Sequence, residues 1–143
     1  MRLCSAVLAL ALVSPLATAR GQSLACGSLP SGTVALVPRD ASWLTLQRVV
    51  HKHPCDDGII GESFSDYVVH RLATRWETVP QLTRLVNADS VLRMFVIEHI
   101  DATTDMDELR RLVQLSKTRC PPGSRAFCAA IRAAAEAAVA SAT

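Results

Sequence analysis

The densest group of side chains with chemical potential lies at residues 51–57, which read HKHPCDD. A His-x-His pair followed by carboxylates can bind copper or zinc, so His51 and His53 form a candidate periplasmic metal site. Residues two apart on a helix point in different directions, so the imidazoles converge only if the helix ends near His51. Cations at a helix C-terminus are also favoured by the helix dipole. We favour this second interpretation and predict neither a metal nor a cofactor.

A second candidate is Glu62, at the start of a predicted helix with the sequence Gly61-Glu62-Ser63-Phe64. The Glu62-Ser63 pair resembles the Glu-Ser pair of lytic transglycosylases, in which a glutamate is general acid and base against peptidoglycan. The resemblance implies a small peptidoglycan-active enzyme and covers these two residues, since the family's downstream Gly-Leu-Met-Gln segment is replaced here. A carboxylate in the first turn of a helix also stabilises that helix. We predict this role for Glu62, and no catalytic residue or enzymatic activity.

Two aromatic side chains, Tyr67 and Trp76, are candidate partner-binding residues. Large amphipathic aromatic groups often anchor protein–protein interfaces. Both residues also fall near apolar stripes of predicted helices, which favours burial in the core. If both are buried, the binding face has to lie on the charged helix surfaces.

The charge balance argues against several classes of partner. The chain has 15 Lys and Arg against 13 Asp and Glu, a formal net charge of +2. So small a charge produces no long-range field that would gather phosphates. We therefore predict no nucleic-acid partner and no binding to an anionic membrane surface.

The N-terminus resembles a secretory signal peptide over residues 1–19. Arg2 precedes an apolar run over residues 6–13, and Ala17-Thr18-Ala19 forms an A-x-A cleavage site. The run is too short to span a bilayer, so we expect a periplasmic or secreted protein with no transmembrane segment after cleavage. An alternative is a lipid anchor at Cys26, because Ser23-Leu24-Ala25-Cys26 resembles a lipobox, with serine where a branched apolar residue is usual.

Export implies that the cysteines form disulfides. Cleavage removes Cys4 and leaves an even set of four cysteines, Cys26, Cys55, Cys120 and Cys128. Cys120 and Cys128 flank Pro121-Pro122-Gly123-Ser124, which is typical of a tight turn between two helices. We therefore predict a Cys120–Cys128 disulfide and, from the remaining pair, a Cys26–Cys55 disulfide.

Hydrophobic periodicity predicts an all-α domain. Residues 20–39 form an extended segment with no second strand to pair with, and residues 40–143 form a single domain of about six short helices. The predicted helix starts are Asp40, Glu62, Thr78, Asp89, Thr104 and Ser124. Short connections favour an orthogonal bundle or a short HEAT-like stack.

These observations favour a binding role over catalysis. We expect a secreted or periplasmic, disulfide-stabilised helical module that binds another envelope or secreted protein, as an inhibitor, immunity-type protein or envelope adaptor. The alternatives are a metal-binding protein that uses His51 and His53, and a peptidoglycan-active enzyme that uses Glu62.

Overall fold

The computed structural model describes residues 37–52 and 58–142. These residues form six α-helices and one short 3-10 helix, with no strand among them. The helices are α1 (Trp43–Lys52), α2 (Gly58–Thr74), α3 (Val79–Ala88), α4 (Ser90–Glu98), α5 (Met106–Thr118) and α6 (Arg125–Ser141), and the 3-10 helix (Trp76–Thr78) precedes α3. The all-α prediction is confirmed for this part of the chain. The predicted leader and most of the extended segment lie outside it.

Polar caps set several of the helix starts. Asp89 accepts a hydrogen bond from the backbone N–H of Leu92 and caps α4, as predicted. Asp105 accepts from two backbone N–H groups and caps α5, one residue beyond the predicted Thr104. At α1 the hydroxyl of Ser42, rather than the predicted Asp40, accepts from the N–H of Thr45. Each cap satisfies donors that a helix start leaves without an intrahelical acceptor.

Helix α2 begins four residues earlier than the sequence predicts. Gly58 has a φ of +60°, a conformation that glycine adopts without steric strain, and Gly61 lies inside the helix. A glycine within a helix costs about 1 kcal/mol relative to alanine. Packing of Ile60 and Phe64 against the core offsets this cost. The glycines alone therefore mispredict where the helix begins.

The core forms where α2, α5 and α6 meet. Helices α5 and α6 pack along each other, α2 packs on α5, and α1 packs against α4. Four of the largest fully buried side chains are aromatic, namely Trp43, Tyr67, Phe64 and Phe127. Burial of such side chains is the main favourable term in folding.

One predicted disulfide is present in the structure. Cys120 and Cys128 are bonded across the turn between α5 and α6, with Cα atoms 6.0 Å apart. Cys26 and Cys55 lie outside the described residues, so the second disulfide stays a prediction.

Among residues 37–52 and 58–142, no helix has both the length and the apolar character needed to span a bilayer.

Candidate functional site

The two aromatic candidates belong to the core. Tyr67 is 1% exposed and Trp76 is 9% exposed. The Tyr67 hydroxyl donates to the carbonyl of Ala41, and Trp76 Nε1 donates to the carbonyl of Arg119 at 2.7 Å. Their polar atoms are therefore used inside the molecule, and burial raises the pKa of Tyr67 to about 12. Each helix turns its apolar stripe inward, which places both rings in the core, and Tyr67 also lines an open cavity at the start of α2.

His51 contacts the carboxylate of Asp89, the residue that caps α4. Its Nε2 lies 2.7 Å from Oδ2 of Asp89, and Gln47 Nε2 donates to the same oxygen at 2.8 Å. The backbone hydrogen bond from Leu92, aided by Gln47 and His51, lowers the pKa of Asp89 to about 2. This arrangement connects α1 to the start of α4. No group of three or more potential ligands that could hold a metal occurs among the described residues, and His53 lies outside them.

Replacing Asp89 with asparagine is expected to lower the free energy of unfolding at pH 7 by about 1 kcal/mol, because asparagine still caps α4 but loses charge-assisted hydrogen bonds. The pKa of Asp89 is lower in the folded state than in the unfolded state, so its contribution is complete above about pH 4 and is lost as the pH falls towards 2. Urea unfolding between pH 2 and 7 measures this. The matched control is Asp105→Asn, at the α5 cap; equal effects at both caps would contradict the prediction.

The fold brings together a serine, a histidine and an aspartate. Ser65 Oγ lies 3.0 Å from Nδ1 of His99 and donates to Oδ2 of Asp101 at 2.6 Å. Sequence reasoning missed this cluster, since Ser65 lies on α2 and the other two residues follow α4. The same is true of His70, whose Nδ1 lies 2.7 Å from Oε1 of Glu108 on α5. No local spacing signals these contacts.

In the contacts that join Ser65, His99 and Asp101, the order of hydrogen bonds differs from that of a catalytic triad. In a triad the histidine lies between the nucleophile and the carboxylate, whereas here the Ser65 hydroxyl lies between His99 and Asp101. Ser65 is 1% exposed, so its oxygen is closed to a substrate. Burial opposes ionisation of Asp101, but the hydrogen bonds from Ser65 and Thr103 outweigh it and keep the pKa of Asp101 below its usual value. The cluster secures the turn after α4 to α2.

We expect Ser65→Ala to lower the free energy of unfolding by about 2 kcal/mol, because it removes the hydroxyl that bridges the buried His99 and the half-buried Asp101. Ser63→Ala on the same helix is the matched control: Ser63 is exposed and its hydroxyl donates to the carbonyl of Ile59. The control is expected to change stability by less than about 0.5 kcal/mol. Chemical unfolding followed by circular dichroism compares the two. Similar losses of stability in the two variants would show that the hydrogen bonds of Ser65 to His99 and Asp101 add no specific stabilisation.

Glu62 lies on the wall of an open cavity of about 460 Å³ at the start of α2, which we call the Glu62 cavity. Asp66, one helical turn later, lines the same cavity. Its carboxylate accepts two hydrogen bonds from the Arg39 guanidinium, at 2.6 and 3.0 Å. Those contacts raise the pKa of Arg39 above its usual value. The cavity therefore contains two carboxylates, one of them already paired.

A second cavity, of about 350 Å³, adjoins the same arginine, and we call it the Arg71 cavity. Its lining is mostly charged or hydroxyl-bearing and consists of Arg39, Asp40, His70, Arg71, Thr74, Arg75, Glu77 and Thr78. Residues 39 and 40, ahead of α1, form one wall, and the C-terminal half of α2 with the 3-10 helix forms the other. Only tertiary structure assembles the lining.

Arg71 has weak partners within the protein. The centre of its guanidinium lies 5.3 Å from the centre of the Trp43 ring, and Nη1 is 3.4 Å from the carbonyl oxygen of Asp40. Its Nε is buried and has no hydrogen-bond acceptor. Within residues 37–52 and 58–142, no carboxylate forms an ion pair with Arg71. A half-buried guanidinium has lost part of its hydration, and no ion pair compensates for that loss here.

We compared the chain with models of protein families, with curated proteins and with solved structures, and none of the three comparisons found a match.

Proposed function

We propose that this protein is an exported helical module that binds another protein, and that it binds through the face containing the Glu62 and Arg71 cavities. The observation that carries the proposal is that both cavities adjoin Arg39, so they form neighbouring depressions on one side of the molecule. Concave surfaces with a few placed polar groups are the usual form of small-molecule sites, and anchor side chains of a partner protein fill pockets in the same way.

The exposed side of α2 supports this choice of face. Glu62, Asp66, His70 and Thr74 follow one another at intervals of four, so they lie along one side of the helix. Two line each cavity, with Glu62 and Asp66 in one and His70 and Thr74 in the other. A polar stripe of this kind fits the polar, solvent-accessible rim of a protein–protein interface. A standard-size protein–protein interface buries about 800 Å² on each partner.

Export is supported by two independent features. The N-terminal sequence has the three parts of a signal peptide, and the Cys120–Cys128 disulfide is typical of an oxidising compartment. We also infer a bundle rather than a HEAT-like stack, because α2 packs on α5 and α1 on α4. In a stack, each repeat contacts only its neighbours along the chain.

Site-specific photo-crosslinking tests the binding face. A photoreactive residue is placed at Thr74, an exposed lining residue of the Arg71 cavity, in the oxidised full chain. Thr118 is the matched control: both are exposed threonines in the last turn of a helix, and both hydroxyls donate to the carbonyl four residues earlier. In an envelope extract, Thr74 is expected to crosslink to one protein, in competition with the unlabelled chain, and Thr118 is not. Equal labelling, or none from Thr74, would contradict the proposal.

A peptidoglycan-active enzyme is the second candidate. The observation that favours it is that Glu62 and Asp66 line one cavity, since glycosidases use paired carboxylates. A cell-wall hydrolysis assay of the oxidised chain and its Glu62→Gln variant separates the two functions. Turnover that the variant abolishes without loss of stability would establish the enzyme and overturn the binding role.

A further inference from the structure

We propose that the Arg71 cavity binds a single carboxylate group from an acidic side chain of the partner protein. This inference rests on the proposed function, because it assigns a ligand chemistry to one half of the same face. Its basis is the guanidinium of Arg71, which lines a cavity and has no carboxylate partner among the described residues.

The other cations around the cavity already have carboxylate partners. Arg39 forms its ion pair with Asp66 at 2.6 Å, and His70 contacts Glu108 at 2.7 Å. Arg75 lies 4.0 Å from Glu77, in a longer pair whose two side chains are exposed. Arg71 has only the distant carbonyl of Asp40 and the Trp43 ring. A ligand carboxylate would thus supply an ion-pair partner for Arg71, which forms none with a carboxylate of the described residues.

Arg71 is held in place before any ligand arrives. The Trp43 ring beneath it is fully buried, packs edge-on against Tyr67 with centroids 5.8 Å apart, and donates from Nε1 to Thr78 Oγ1 at 2.8 Å. A guanidinium whose centre lies 5.3 Å from the centroid of such a fixed ring has less rotational freedom than a fully exposed arginine. Binding a planar carboxylate then costs less conformational entropy than ordering a free arginine would.

The surrounding charges favour a carboxylate over a phosphate. Asp40 and Glu77 also line the cavity, and their negative charges repel a dianion more than a monoanion. The hydroxyls offer little help, because Thr74 donates to the carbonyl of His70 and Thr78 to that of Arg75. One guanidinium with two parallel donors matches one carboxylate.

The test is a titration of the oxidised full chain with small probes, followed by NMR signals of the arginine side-chain N–H groups. The probes are N-acetyl-glutamate amide, its neutral glutamine analogue and inorganic phosphate. We expect the glutamate probe to shift the Arg71 signal, the glutamine probe to leave it unchanged, and phosphate to bind at least tenfold more weakly. Equal binding of the glutamate and glutamine probes would overturn the proposal, and phosphate binding as strong as glutamate would overturn its choice of ligand.

Two lysine variants assign the effect to the cavity. Arg71→Lys keeps the charge but loses the planar fork, so we expect at least a tenfold loss of affinity for the glutamate probe. Arg93→Lys is the matched control, because Arg93 also lies over an aromatic ring, 5.7 Å from the centroid of Phe127, and lines neither cavity. It is expected to change affinity by less than twofold. Unchanged binding by Arg71→Lys would contradict the assignment.

The outcomes also separate this inference from the proposed function. If the face binds a protein but the carboxylate assignment is wrong, crosslinking from Thr74 persists in the Arg71→Lys variant and the glutamate probe fails to bind. If the binding role itself is wrong, crosslinking from Thr74 is absent while the probe still binds at Arg71.

Discussion

Trp43→Leu is expected to lower the free energy of unfolding by about 3 kcal/mol, since it removes a large buried aromatic side chain together with a hydrogen bond. Trp43 is fully buried, its Nε1 donates to Thr78, and its ring contacts both Tyr67 and Arg71. The loss therefore affects the core and the wall of the Arg71 cavity together. Guanidinium chloride unfolding of the oxidised protein, followed by circular dichroism, measures the change.

Trp43→Phe is the informative comparison. Phenylalanine keeps an aromatic ring in the core but has no donor for Thr78, so we expect a loss of only about 1.5 kcal/mol. Binding of the glutamate probe should follow the same order, with Trp43→Leu weaker than Trp43→Phe, because only the second variant keeps an aromatic ring for Arg71. A loss below about 1 kcal/mol for Trp43→Leu would show that the indole is not a well-packed part of the core.

Removing the Cys120–Cys128 disulfide is expected to lower the free energy of unfolding by about 2.5 kcal/mol, because the bond closes a short loop and restricts the unfolded chain. The sequence separation is 8 residues, and Cys128 is 2% exposed. The double variant Cys120→Ser, Cys128→Ala therefore places alanine at the buried position. Since Arg119 accepts the hydrogen bond from Trp76 Nε1 next to Cys120, we also expect the environment of Trp76 to change.

Chemical unfolding and near-ultraviolet circular dichroism check the two expectations. The double variant leaves the predicted Cys26–Cys55 disulfide intact. A chemical reductant would instead reduce both disulfides. Non-reducing peptide mapping of both proteins provides the control: the wild-type chain is expected to yield linked Cys120 and Cys128 peptides, and both are expected to yield linked Cys26 and Cys55 peptides. A variant as stable as the wild type would contradict the stabilising role, and crossed pairs such as Cys26 with Cys120 would contradict the predicted pairing.

Local signals in the sequence predicted the helical class and several of the helix starts. The all-α class, the Asp89 cap and the Cys120–Cys128 bond all depend on residues close together in the chain. Errors arose where tertiary packing competes with a local rule. Gly61 predicts a loop but is helical because packing of Ile60 and Phe64 extends α2 towards its start. Thr78 satisfies the pattern of a capping box, yet its hydroxyl instead donates to Arg75 and accepts from Trp43.

The sequence by itself determined the helices, their amphipathic faces and one disulfide, because helical periodicity, caps and turns act over a few residues. Only the tertiary structure decided which polar groups meet. Arg71 lies over Trp43, 28 positions earlier in the chain, and Ser65 joins His99 and Asp101 from the far end of α4. It also placed Tyr67 and Trp76 in the core. An apolar stripe predicts which face of a helix is buried, but it does not show which residues at the margin of that face are buried. Contacts between distant segments depend on how the helices pack against one another, and no local pattern records that packing.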